Sequence, residues 1–574
     1  MAKVKFPYGV SDFSIIASNG YTYVDRTQFI EHLDELNTRY HSFLRPRRFG
    51  KSLALSVMEH YYGKVHKDRF EQLFGPYYIG QNPTPQANAY IVLKFDFSGV
   101  VTGTTDNLPQ IFTNQVKESI LKSLAPYSAT FPNGALQALD QAANASEALN
   151  ITFRLIVTHC PEEKLFVLID EYDHFTNEII AFNYNDFEAI VSQNGFVRKF
   201  YEILKQGTGS GVVDRIFITG VSPITLDSLT SGYNIGSDLT LDLQMHTFMG
   251  FTEREVSGLL QMAGVSNDEL DQIMADVQTW YNGYRFSHKT HEKLYNPDMV
   301  LYFASAYAQY GEYPEELLDA NVVSDYGKMR RMFRVGNEVA NYEVIEDILG
   351  GGTVKEKITR IFSFERHWAK ADFASLLFYM GLLTIKGSEL GFIDFGIPNH
   401  VIKGLYYNFF QQSLLQRTEL QVDDLRVNQR VSTLALENDM RPLAESLELV
   451  LKRLDNRDAR GFDEKAIKVA LLSLLVPPEI YAVYSEYAIG QGYADIALLR
   501  RPPILQPKRQ HLIELKYLRK REQAGLEEKA AEGRAQLQRY LAHPDITRHG
   551  DFCGWLLVVV GYEVALLEEV RLPN

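Results

Sequence analysis

Hydrophobic residues in the first half of the chain form short continuous runs, separated by long stretches of helical periodicity. The clearest runs are "YIVLKFDFS" from Tyr90, "KLFVLIDEYD" from Lys164 and "RIFITGVSP" from Arg215. Continuous apolar runs of this length are typical of strands buried on both faces of a parallel sheet, and the stretches between them fit crossover helices. We therefore expect residues 1–295 to form one α/β domain.

The pattern changes after residue 295. "ADFASLLFYMGLLTIK" predicts one amphipathic helix, and "GFIDFGIPNHVIKGLYYNFF" predicts a short hairpin and a second helix with a break at "GIPN". We expect residues 296–412 to form a small helical, winged-helix-like domain. Residues 413–574 form the third predicted domain, which is helical from about Leu414 to Leu474. It then turns to strand, strand, helix and strand in "YADIALL", "QHLIELKYL", "EEKAAEGRAQLQRYL" and "GWLLVVVGY".

The stretch "FLRPRRFGKSLALSVMEHYY" contains Gly50, Lys51 and Ser52 at the start of a predicted helix. A phosphate-binding loop ends in this way. Backbone N–H groups and the helix N-terminus hold the phosphates, Lys51 reaches the β- and γ-phosphates, and Ser52 ligates Mg²⁺. The full pattern has a glycine seven positions before the serine, where this chain has Arg45.

Two acids end the apolar run "LFVLIDEYD". Asp170 is predicted to hold Mg²⁺ through water, and Glu171 to polarise the water that attacks ATP. Two acids after a strand also form ordinary helix N-caps. A GKS helix followed by such a strand is much more specific, and it predicts ATP binding. In "FITGVSP", either Thr219 or Ser222 lies where a polar sensor would meet the γ-phosphate, or the segment simply ends a strand.

A second set of chemical residues lies near the C-terminus, where Asp495 precedes the "IELK" of Glu514 and Lys516. Side chains two apart on a strand share a face. The prolines of "RRPPILQPKRQ" keep that turn out of the sheet, which fits a hairpin. Asp495 and Glu514 would bind one or two Mg²⁺ ions beside a scissile phosphate. Lys516 would orient or deprotonate the attacking water, or stabilise the charged phosphate. The alternative is a strand with a polar face.

Composition limits the classes of protein that fit these motifs. The chain has 574 residues, 45% of them hydrophobic, and a net charge of −14, which argues against general attraction to nucleic acid. Basic residues outnumber acids between Arg500 and Tyr540, around the "IELK" strand. The two cysteines, Cys160 and Cys553, form neither a disulfide framework nor a zinc spacing, and no apolar run is long enough for a membrane span or signal peptide. We expect a cytoplasmic protein without membrane partners.

At this point the chain resembles a known family. It has "YVDRT" (Tyr23–Thr27), "FLRPRRFGKSL", "LIDEYD", "FITGVSP" and "WYNGYRF" followed by "LYNP", in the order of the AAA-ATPase-like prokaryotic proteins that carry a C-terminal PD-(D/E)xK nuclease domain. That family also replaces the first glycine of the phosphate loop with arginine. The resemblance covers nearly the whole chain. It implies an α/β fold with a P-loop AAA+-type ATPase core and a C-terminal restriction-endonuclease-like (PD-(D/E)xK) domain.

The resemblance also implies roles for single residues. Arg285 in "WYNGYRF" becomes a candidate sensor or trans-acting arginine, although it could equally be a surface ion-pair partner. Arg48 and its neighbour Arg47 either contact phosphates or make the loop basic. Glu486 in "YSEYAIG" lies where the family has a helix- or turn-borne acid that completes the metal shell.

Gln536 in "GRAQLQRYL" lies where the family has a helix glutamine that packs over the nuclease site. Tyr493 departs from the pattern, because relatives often have arginine there. The departure puts one phosphate or structural contact in doubt, but it leaves the metal ligands in place.

Together these features predict an ATP-regulated nuclease that forms homo-oligomers, binds ATP with Mg²⁺ and cleaves DNA in preference to RNA. Mg²⁺ would serve the nuclease site, with Mn²⁺ as a substitute. Defence against mobile DNA is the cellular role suggested by analogy. The alternative is an NTPase switch whose C-terminal domain binds nucleic acid or protein without cleaving. The complete set of Glu486, Asp495, Glu514 and Lys516 argues against that alternative, and a P-loop kinase would leave these residues unexplained.

Overall fold

The structure is a computed structural model that describes residues 4–99, 107–174, 195–224, 235–319, 338–362, 368–420, 425–454, 463–548 and 550–572. The chain divides into two compact units. The first comprises Met1–Glu312, Leu318–Tyr342 and Val354–Pro398, and the second Tyr313–Leu317, Glu343–Thr353 and Asn399–Asn574. The domain boundaries expected after residues 295 and 412 stay a prediction.

A five-stranded parallel sheet forms the centre of the first unit, with the order β2-β3-β4-β1-β5. Its strands are β1 (Tyr40–Leu44), β2 (Ile91–Asp96), β3 (Leu165–Asp170), β4 (Val213–Gly220) and β5 (Ser237–Asp238). The apolar runs predicted β2, β3 and β4 correctly. They missed β1, because His41 and Ser42 interrupt its apolar pattern although both are buried. The carboxyl ends of parallel strands meet at one edge, so the segments after β1, β3 and β4 lie together.

Helices cover this sheet. α3 packs against β2 and β3, α6 against β2, and α9 against β4. The helices are α1 (Phe13–Ser18), α2 (Gln28–Glu35), α3 (Lys51–Tyr62), α4 (Phe70–Phe74), α5 (Tyr78–Gln81), α6 (Leu108–Leu124), α7 (Ala135–Asp140), α8 (Ala145–His159), α9 (Phe196–Gly209), α10 (Glu253–Met262), α11 (Asn267–Tyr281) and α12 (Pro297–Tyr310). Two 3₁₀ helices span Lys64–Arg69 and Ala125–Thr130.

A small three-stranded sheet, ordered β6-β8-β7, follows in the chain. Its elements are β6 (Thr353–Glu356), β7 (Thr384–Glu389) and β8 (Phe392–Gly396), with α13 (Glu338–Gly351) before β6 and α14 (Lys370–Tyr379) before β7. The expectation of one helix through "ADFASLLFYMGLLTIK" was wrong in its second half, because the last three residues already belong to β7. Gly381, at φ +76°, turns the chain between α14 and β7. The hairpin and the break before the next helix are confirmed.

The second unit contains a mixed five-stranded sheet of order β13-β12-β11-β10-β9, in which only β11 and β12 are parallel. The strands are β9 (Ala482–Ile489), β10 (Gly492–Leu499), β11 (Gln510–Leu518), β12 (Phe552–Val560) and β13 (Glu563–Val570). The helices are α15 (His400–Thr418), α16 (Val427–Glu437), α17 (Arg441–Leu454), α18 (Glu464–Leu475), α19 (Leu526–Leu541) and α20 (Pro544–Thr547), with a 3₁₀ helix at Lys520–Gly525.

The predicted order of strand, strand, helix and strand is confirmed by β10, β11, α19 and β12, while β9 and β13 are additional. The predicted helical stretch is confirmed as well, except that residues 421–424 and 455–462 lie outside the described residues. α19 contributes Ala530 and Leu537 to the core of this sheet. A Cβ on its Gly533 would come within 2.5 Å of Leu556 Cδ1, so glycine lets the helix approach the strands closely.

Among the helices that the structure describes, none combines the length and the apolar character that crossing a membrane requires.

Candidate nucleotide and metal sites

The GKS segment forms a loop between β1 and α3. Gly50 adopts φ +89° immediately before the helix, a conformation that favours glycine, and Arg48 adopts φ +65°. Lys51 is the first residue of α3, and its Nζ donates to the Pro46 carbonyl at 3.0 Å. The N–H groups of the first helical turn have no partners within the helix, and such helix N-termini commonly bind phosphate.

Arg45 replaces the first glycine of the phosphate loop, and its side chain is buried beside the loop. The guanidinium lies between the rings of Phe43 and Phe286, with 4.1 and 4.2 Å from Cζ to the ring centroids. Its terminal nitrogens donate to the carbonyls of Leu44, Thr240, Met245 and His246. Burial lowers the pKa of Arg45 to about 9. The residue is 1% exposed and ties the end of β1 to the segment after β5.

The acid predicted to hold Mg²⁺ lies against the phosphate loop. The hydroxyl of Ser52 hydrogen-bonds to the Asp170 carboxylate. Burial raises the pKa of Asp170, while the Ser52 hydrogen bond and the charge of Lys51 oppose that rise. Burial likewise lowers the pKa of Lys51, and the charges of Asp170 and its neighbours oppose the decrease. Asp96 ends β2 directly beside Asp170 and adds a second carboxylate. These oxygens fit an Mg²⁺ ion bound with phosphate and water.

Glu171 is held in an unusual backbone conformation next to that pair. Its φ is +45°, its N–H donates to Asp170 Oδ1 at 2.9 Å, and His174 Nδ1 lies 3.1 Å from its Oε2. The hydrogen bond from His174 lowers the pKa of Glu171, so the carboxylate is ionised at neutral pH. The sequence analysis missed His174, although it follows "DEYD" directly. An ionised, oriented carboxylate is suited to polarising a water molecule.

The last acid of "LIDEYD" joins β3 to β4. The carboxylate of Asp173 accepts from the N–H groups of Val221 and Ser222, and the Tyr172 hydroxyl donates to the Ser222 carbonyl. The Thr219 hydroxyl donates to the Phe43 carbonyl of β1 at 2.8 Å. Thr219 and Ser222 are both buried, and neither lines the cavity described next. Their role as sensors stays a prediction.

A cavity of about 640 Å³ opens beside the phosphate loop. Arg47, Arg48, Lys51, Ser52 and Glu171 line it on the loop side. The remaining wall is mainly apolar and includes Val10, Val24, Val57, Met58, Phe248, Phe251, Leu259 and Leu301. One end therefore suits a polyphosphate and the other a flat apolar ring. The apolar residues come from six separate segments, so no local motif predicted this wall.

Two predicted nucleotide-binding arginines have different surroundings. Arg48 lines the cavity, and its Nη1 lies 2.7 Å from Asp298 Oδ2. Arg285 does not line it, and its backbone N–H donates to Thr384 Oγ1. Arg285 is only 7% exposed, so the alternative of a surface ion-pair partner was wrong. Its sensor role stays a prediction.

The "IELK" residues meet on the β10–β11 hairpin. Ile496 pairs with Ile513 across the hairpin, which places Asp495 and Glu514 next to each other at the point where regular pairing ends. Asp495 Oδ2 accepts from the Leu515 N–H at 2.8 Å. This bond turns the Asp495 carboxylate towards β11.

Lys516 and Gln536 complete the cluster. Lys516 Nζ lies 2.7 Å from Glu514 Oε1 and 3.3 Å from Gln536 Oε1. The amide of Gln536 in turn donates to the Tyr540 hydroxyl, which donates to the Tyr493 carbonyl. Sequence reasoning therefore named residues that the structure brings together, and Tyr493 contributes only its backbone to this chain of bonds.

Burial dominates the electrostatics of this cluster. Burial, and next the charge of Asp495, raises the pKa of Glu514 to about 7, and burial also raises the pKa of Asp495. Burial alone would lower the pKa of Lys516, but the Glu514 hydrogen bond and the surrounding carboxylates raise it. Glu514 Oε2 is buried without a hydrogen-bond partner. A divalent cation bound by Glu514 and Asp495 would give this buried oxygen a partner.

The described residues contain no group of three or more His, Cys, Asp or Glu side chains arranged to hold a metal ion. A cation bound by Asp495 and Glu514 would therefore take its other ligands from water, backbone or substrate oxygens, as Mg²⁺ commonly does.

Glu486, expected on a helix or turn, lies on strand β9, so that part of the prediction was wrong. Its backbone has φ +54°, its side chain is 50% exposed, and it forms an ion pair with Lys468 of α18. The helix-borne acid is instead Glu464, at the exposed rim one turn before Lys468. Partial burial and the charge of Asp495 raise the pKa of Glu464. The sequence analysis missed Glu464 and Lys468, although both precede the apolar run "VALLSLL".

The first two arginines of the turn between β10 and β11 form contacts within the protein. Arg500 forms an ion pair with Asp551 at 2.5 Å and donates to two carbonyls of its own turn. Arg501 is 3% exposed and pairs with Glu479. The local excess of positive charge around "IELK" is therefore partly neutralised inside the fold.

Family models match two parts of the chain. The model described as predicted AAA-ATPase matches residues 7–230, and that of the PD-(D/E)XK nuclease superfamily matches residues 462–565. The first match contains the phosphate loop and the β3 acids, and the second contains Glu464, Lys468 and the β10–β11 cluster. The order of the two regions confirms the architecture that the motifs implied.

Individual relatives are more distant. A protein of Azotobacter chroococcum mcd 1, described as an uncharacterized protein in the vnfD 5′ region, is 28% identical over 308 residues. That match covers 53% of this chain and 52% of the relative, so the chain spans about half the length of the relative it matches. A Walker-type ATPase of Pyrococcus abyssi overlaps 66% of this chain and 94% of its own, with a TM-score of 0.38 and 11% identity.

Replacing Arg45 tests whether it holds the phosphate loop in place. Arg45→Ala leaves buried carbonyls unpaired and should lower the free energy of unfolding by about 3 kcal/mol. We expect the thermal midpoint of the first unit, measured by scanning calorimetry, to decrease by more than about 5 °C. Arg45→Gly restores the usual glycine and should cost as much. The control is Arg39→Ala near the start of β1, whose side chain is 60% exposed. An unchanged midpoint in Arg45→Gly would contradict the role of Arg45.

Glu514 should make the second unit less stable at higher pH when no metal is bound. Its folded pKa of about 7 lies above the ordinary 4.5. The associated stability is therefore present below about pH 4.5 and is lost as the pH rises through 7. We expect thermal midpoints in a chelator to decrease from pH 5 to pH 8 more in the wild type than in Glu514→Gln. Parallel pH profiles of the two proteins would contradict the raised pKa.

Proposed function

We propose, from the premise that this chain joins an AAA-ATPase-like domain to a PD-(D/E)XK nuclease superfamily domain, that it is an ATP-regulated, metal-dependent nuclease that cleaves DNA. The observation that carries the proposal is the meeting of Asp495, Glu514 and Lys516 on the β10–β11 hairpin, with one buried Glu514 oxygen unsatisfied. The nucleotide site supplies the regulation.

In the first unit, the cavity would hold ATP with its adenine against the apolar wall and its phosphates at the N-terminus of α3. Lys51 would exchange its bond to the Pro46 carbonyl for the β- and γ-phosphates, and Arg48 would contact the phosphates from the cavity rim. Ser52 and Asp170 would hold Mg²⁺. Glu171 would orient and polarise the attacking water, because its His174 partner keeps it ionised.

In the second unit, Asp495 and Glu514 would hold Mg²⁺ or Mn²⁺ beside the scissile phosphate. When bound, the cation lowers the pKa of a coordinated water and neutralises phosphate charge. Lys516 stays protonated at neutral pH because the surrounding carboxylates raise its pKa, so it serves as a cation that stabilises developing charge rather than as a base. Gln536 fixes the direction of the Lys516 ammonium.

Several finer points belong to this proposal. ATP binding and hydrolysis would gate cleavage, because an unregulated nuclease would endanger the cell that makes it. The protein would act as a homo-oligomer in the cytoplasm, and defence against mobile DNA fits such a gated nuclease. Both cysteines are buried and form no disulfide.

Two substitutions test the ATPase half. Lys51→Ala removes the phosphate contact, and we expect ATP turnover to fall by at least about a hundredfold. Glu171→Gln keeps the loop but removes the ionised carboxylate, so ATP should stay bound and hydrolyse at least about a hundredfold more slowly. Phosphate release and retention of labelled ATP measure the two effects. Lys64→Ala, an exposed lysine paired with Glu163, is the control. Turnover at the wild-type rate in Glu171→Gln would exclude its role.

A second pair tests the nuclease half. Asp495→Ala and Lys516→Ala should each reduce cleavage by at least about a hundredfold and leave ATP turnover unchanged, because both residues lie in the second unit. The assay is a panel of plasmid, linear and single-stranded DNA and RNA with Mg²⁺ or Mn²⁺, with and without ATP. Asp545→Ala, whose side chain is 64% exposed, is the matched control.

The panel also separates the alternatives. If Asp495→Ala cuts as well as the wild type, the site assignment is wrong. If the wild type cuts nothing while hydrolysing ATP, the chain fits an NTPase switch whose C-terminal domain binds without cleaving. The lanes with ATP give the direction of the regulation.

A further inference from the structure

Helix α18 brings a second lysine to the cluster on the β10–β11 hairpin. Lys468 is 5% exposed, forms an ion pair with Glu486 of β9, and places its Nζ 3.8 Å from Asp495 Oδ1. Glu464 precedes it by one helical turn and therefore shares its face of α18. The D…ExK pattern requires neither residue.

The carboxylate oxygens around the cluster are unequally occupied. Glu486 is engaged by Lys468, and Glu464 accepts the Tyr517 N–H. Asp495 Oδ2 accepts the Leu515 N–H, and Glu514 Oε1 accepts from Lys516. Glu514 Oε2 has no partner, although Glu514 is only 1% exposed. Glu514 Oε2, beside Asp495, is therefore the described oxygen that lacks a partner, while Lys468 lies between Asp495 and Glu486.

The formal charge of the cluster also favours a single bound cation. Four carboxylates, those of Glu464, Glu486, Asp495 and Glu514, surround two lysines, so the formal net charge is −2 when all six groups are ionised. Lys529 also faces Glu464, but it pairs with Glu532 at 2.7 Å and adds no net charge. One divalent ion would neutralise the cluster before substrate binds, and a second would leave two uncompensated positive charges inside the protein.

A further cation lies behind Lys468. Burial, followed by the charge of Lys468, lowers the pKa of Lys403 to about 8, and Lys403 Nζ donates to the Val483 carbonyl of β9 at 3.3 Å. In its protonated form, Lys403 makes the Lys468 side of the cluster still less favourable for a second metal ion. On the Glu514 side the neighbouring cation is Lys516, which binds Oε1 and leaves Oε2 without a described partner.

We propose that the site binds a single divalent cation between Asp495 and Glu514, and that Lys468 takes the place of a second one between Asp495 and Glu486. This inference rests on the proposed nuclease function. Lys468 is then a positioning residue that keeps Asp495 turned towards the metal. It also supplies positive charge next to Asp495 and Glu486, while Lys516 supplies it next to Glu514.

The test counts Mn²⁺ ions on the full chain without nucleotide at pH 8, by calorimetry and by the loss of the free Mn²⁺ resonance signal. The number of Mn²⁺ ions bound by Asp495→Ala is subtracted from the number bound by the wild type. The difference excludes ions bound at the phosphate loop. We expect a difference of one ion. Lys468→Met frees Glu486 and Asp495, and we expect it to bind one ion more than the wild type. Lys468→Arg keeps the charge and should bind as the wild type does.

Lys452→Met is the control, because Lys452 is also paired with acids in this unit, Glu448 and Glu563. A difference of two ions in the wild type overturns the proposal even if Lys468→Met fails to fold. A folded Lys468→Met variant that binds as many ions as the wild type also overturns the proposal. If Asp495→Ala binds as many ions as the wild type, the metal site of the proposed function fails as well, which separates that failure from a wrong count.

Discussion

Both sites contain buried charged side chains. An unpaired charge inside a protein destabilises the folded state, so each of these side chains needs a partner of opposite charge or a hydrogen bond. Ser52 and Lys51 compensate Asp170 at the end of β3, and Lys516 and Lys468 compensate Glu514 and Asp495 in the second unit. In each case burial raises the pKa of the carboxylates, and a positive group opposes that rise. Both sites therefore combine neighbouring buried carboxylates with a positive or hydrogen-bonding group that partly compensates them.

Several motif residues of the first unit form hydrogen bonds that hold the strands of the sheet together. Arg45 is stacked between two rings and bonded to buried carbonyls, and Asp173 ties β3 to the end of β4. Thr219 ties β4 to β1. These bonds align the carboxyl ends of β1, β3 and β4, so that Lys51, Asp170 and Glu171 meet at one edge of the sheet. A motif residue beside a catalytic one can thus serve the backbone geometry alone.

In the second unit, helix α18 adds charged side chains to the polar face of the β10–β11 hairpin. The β10–β11 hairpin alone would present two acids and a lysine, a set that many strands with a polar face also contain. Helix α18 adds Glu464 and Lys468 from a single face, and helix α19 adds Gln536 through the close approach at Gly533. Together they add two lysine–carboxylate contacts and a glutamine to the polar face of the strand, and one buried oxygen of Glu514 stays without a hydrogen-bond partner.

Features that depend on local spacing could be predicted from the amino-acid sequence. Three buried strands of the first sheet, the helix after Gly50, the acids after β3 and the shared face of Glu514 and Lys516 follow from hydrophobic periodicity and from side chains a few residues apart. Strand β1 escaped, because its polar His41 and Ser42 are buried only through neighbours distant in the chain. The helix after residue 370 was predicted too long, because the turn at Gly381 depends on tertiary packing against Pro46.

Contacts between distant parts of the chain could not be predicted from the sequence. The partners of Arg45, the placement of Glu486 on a strand, the pairing of Lys468 with Asp495 and the apolar wall of the cavity all join residues far apart in sequence. Long-range contacts of this kind leave no periodic signal, since each partner satisfies its own local pattern equally well with or without the other. For the charged residues, the physical reason is that a buried charge destabilises the protein unless the folded chain brings a partner to it.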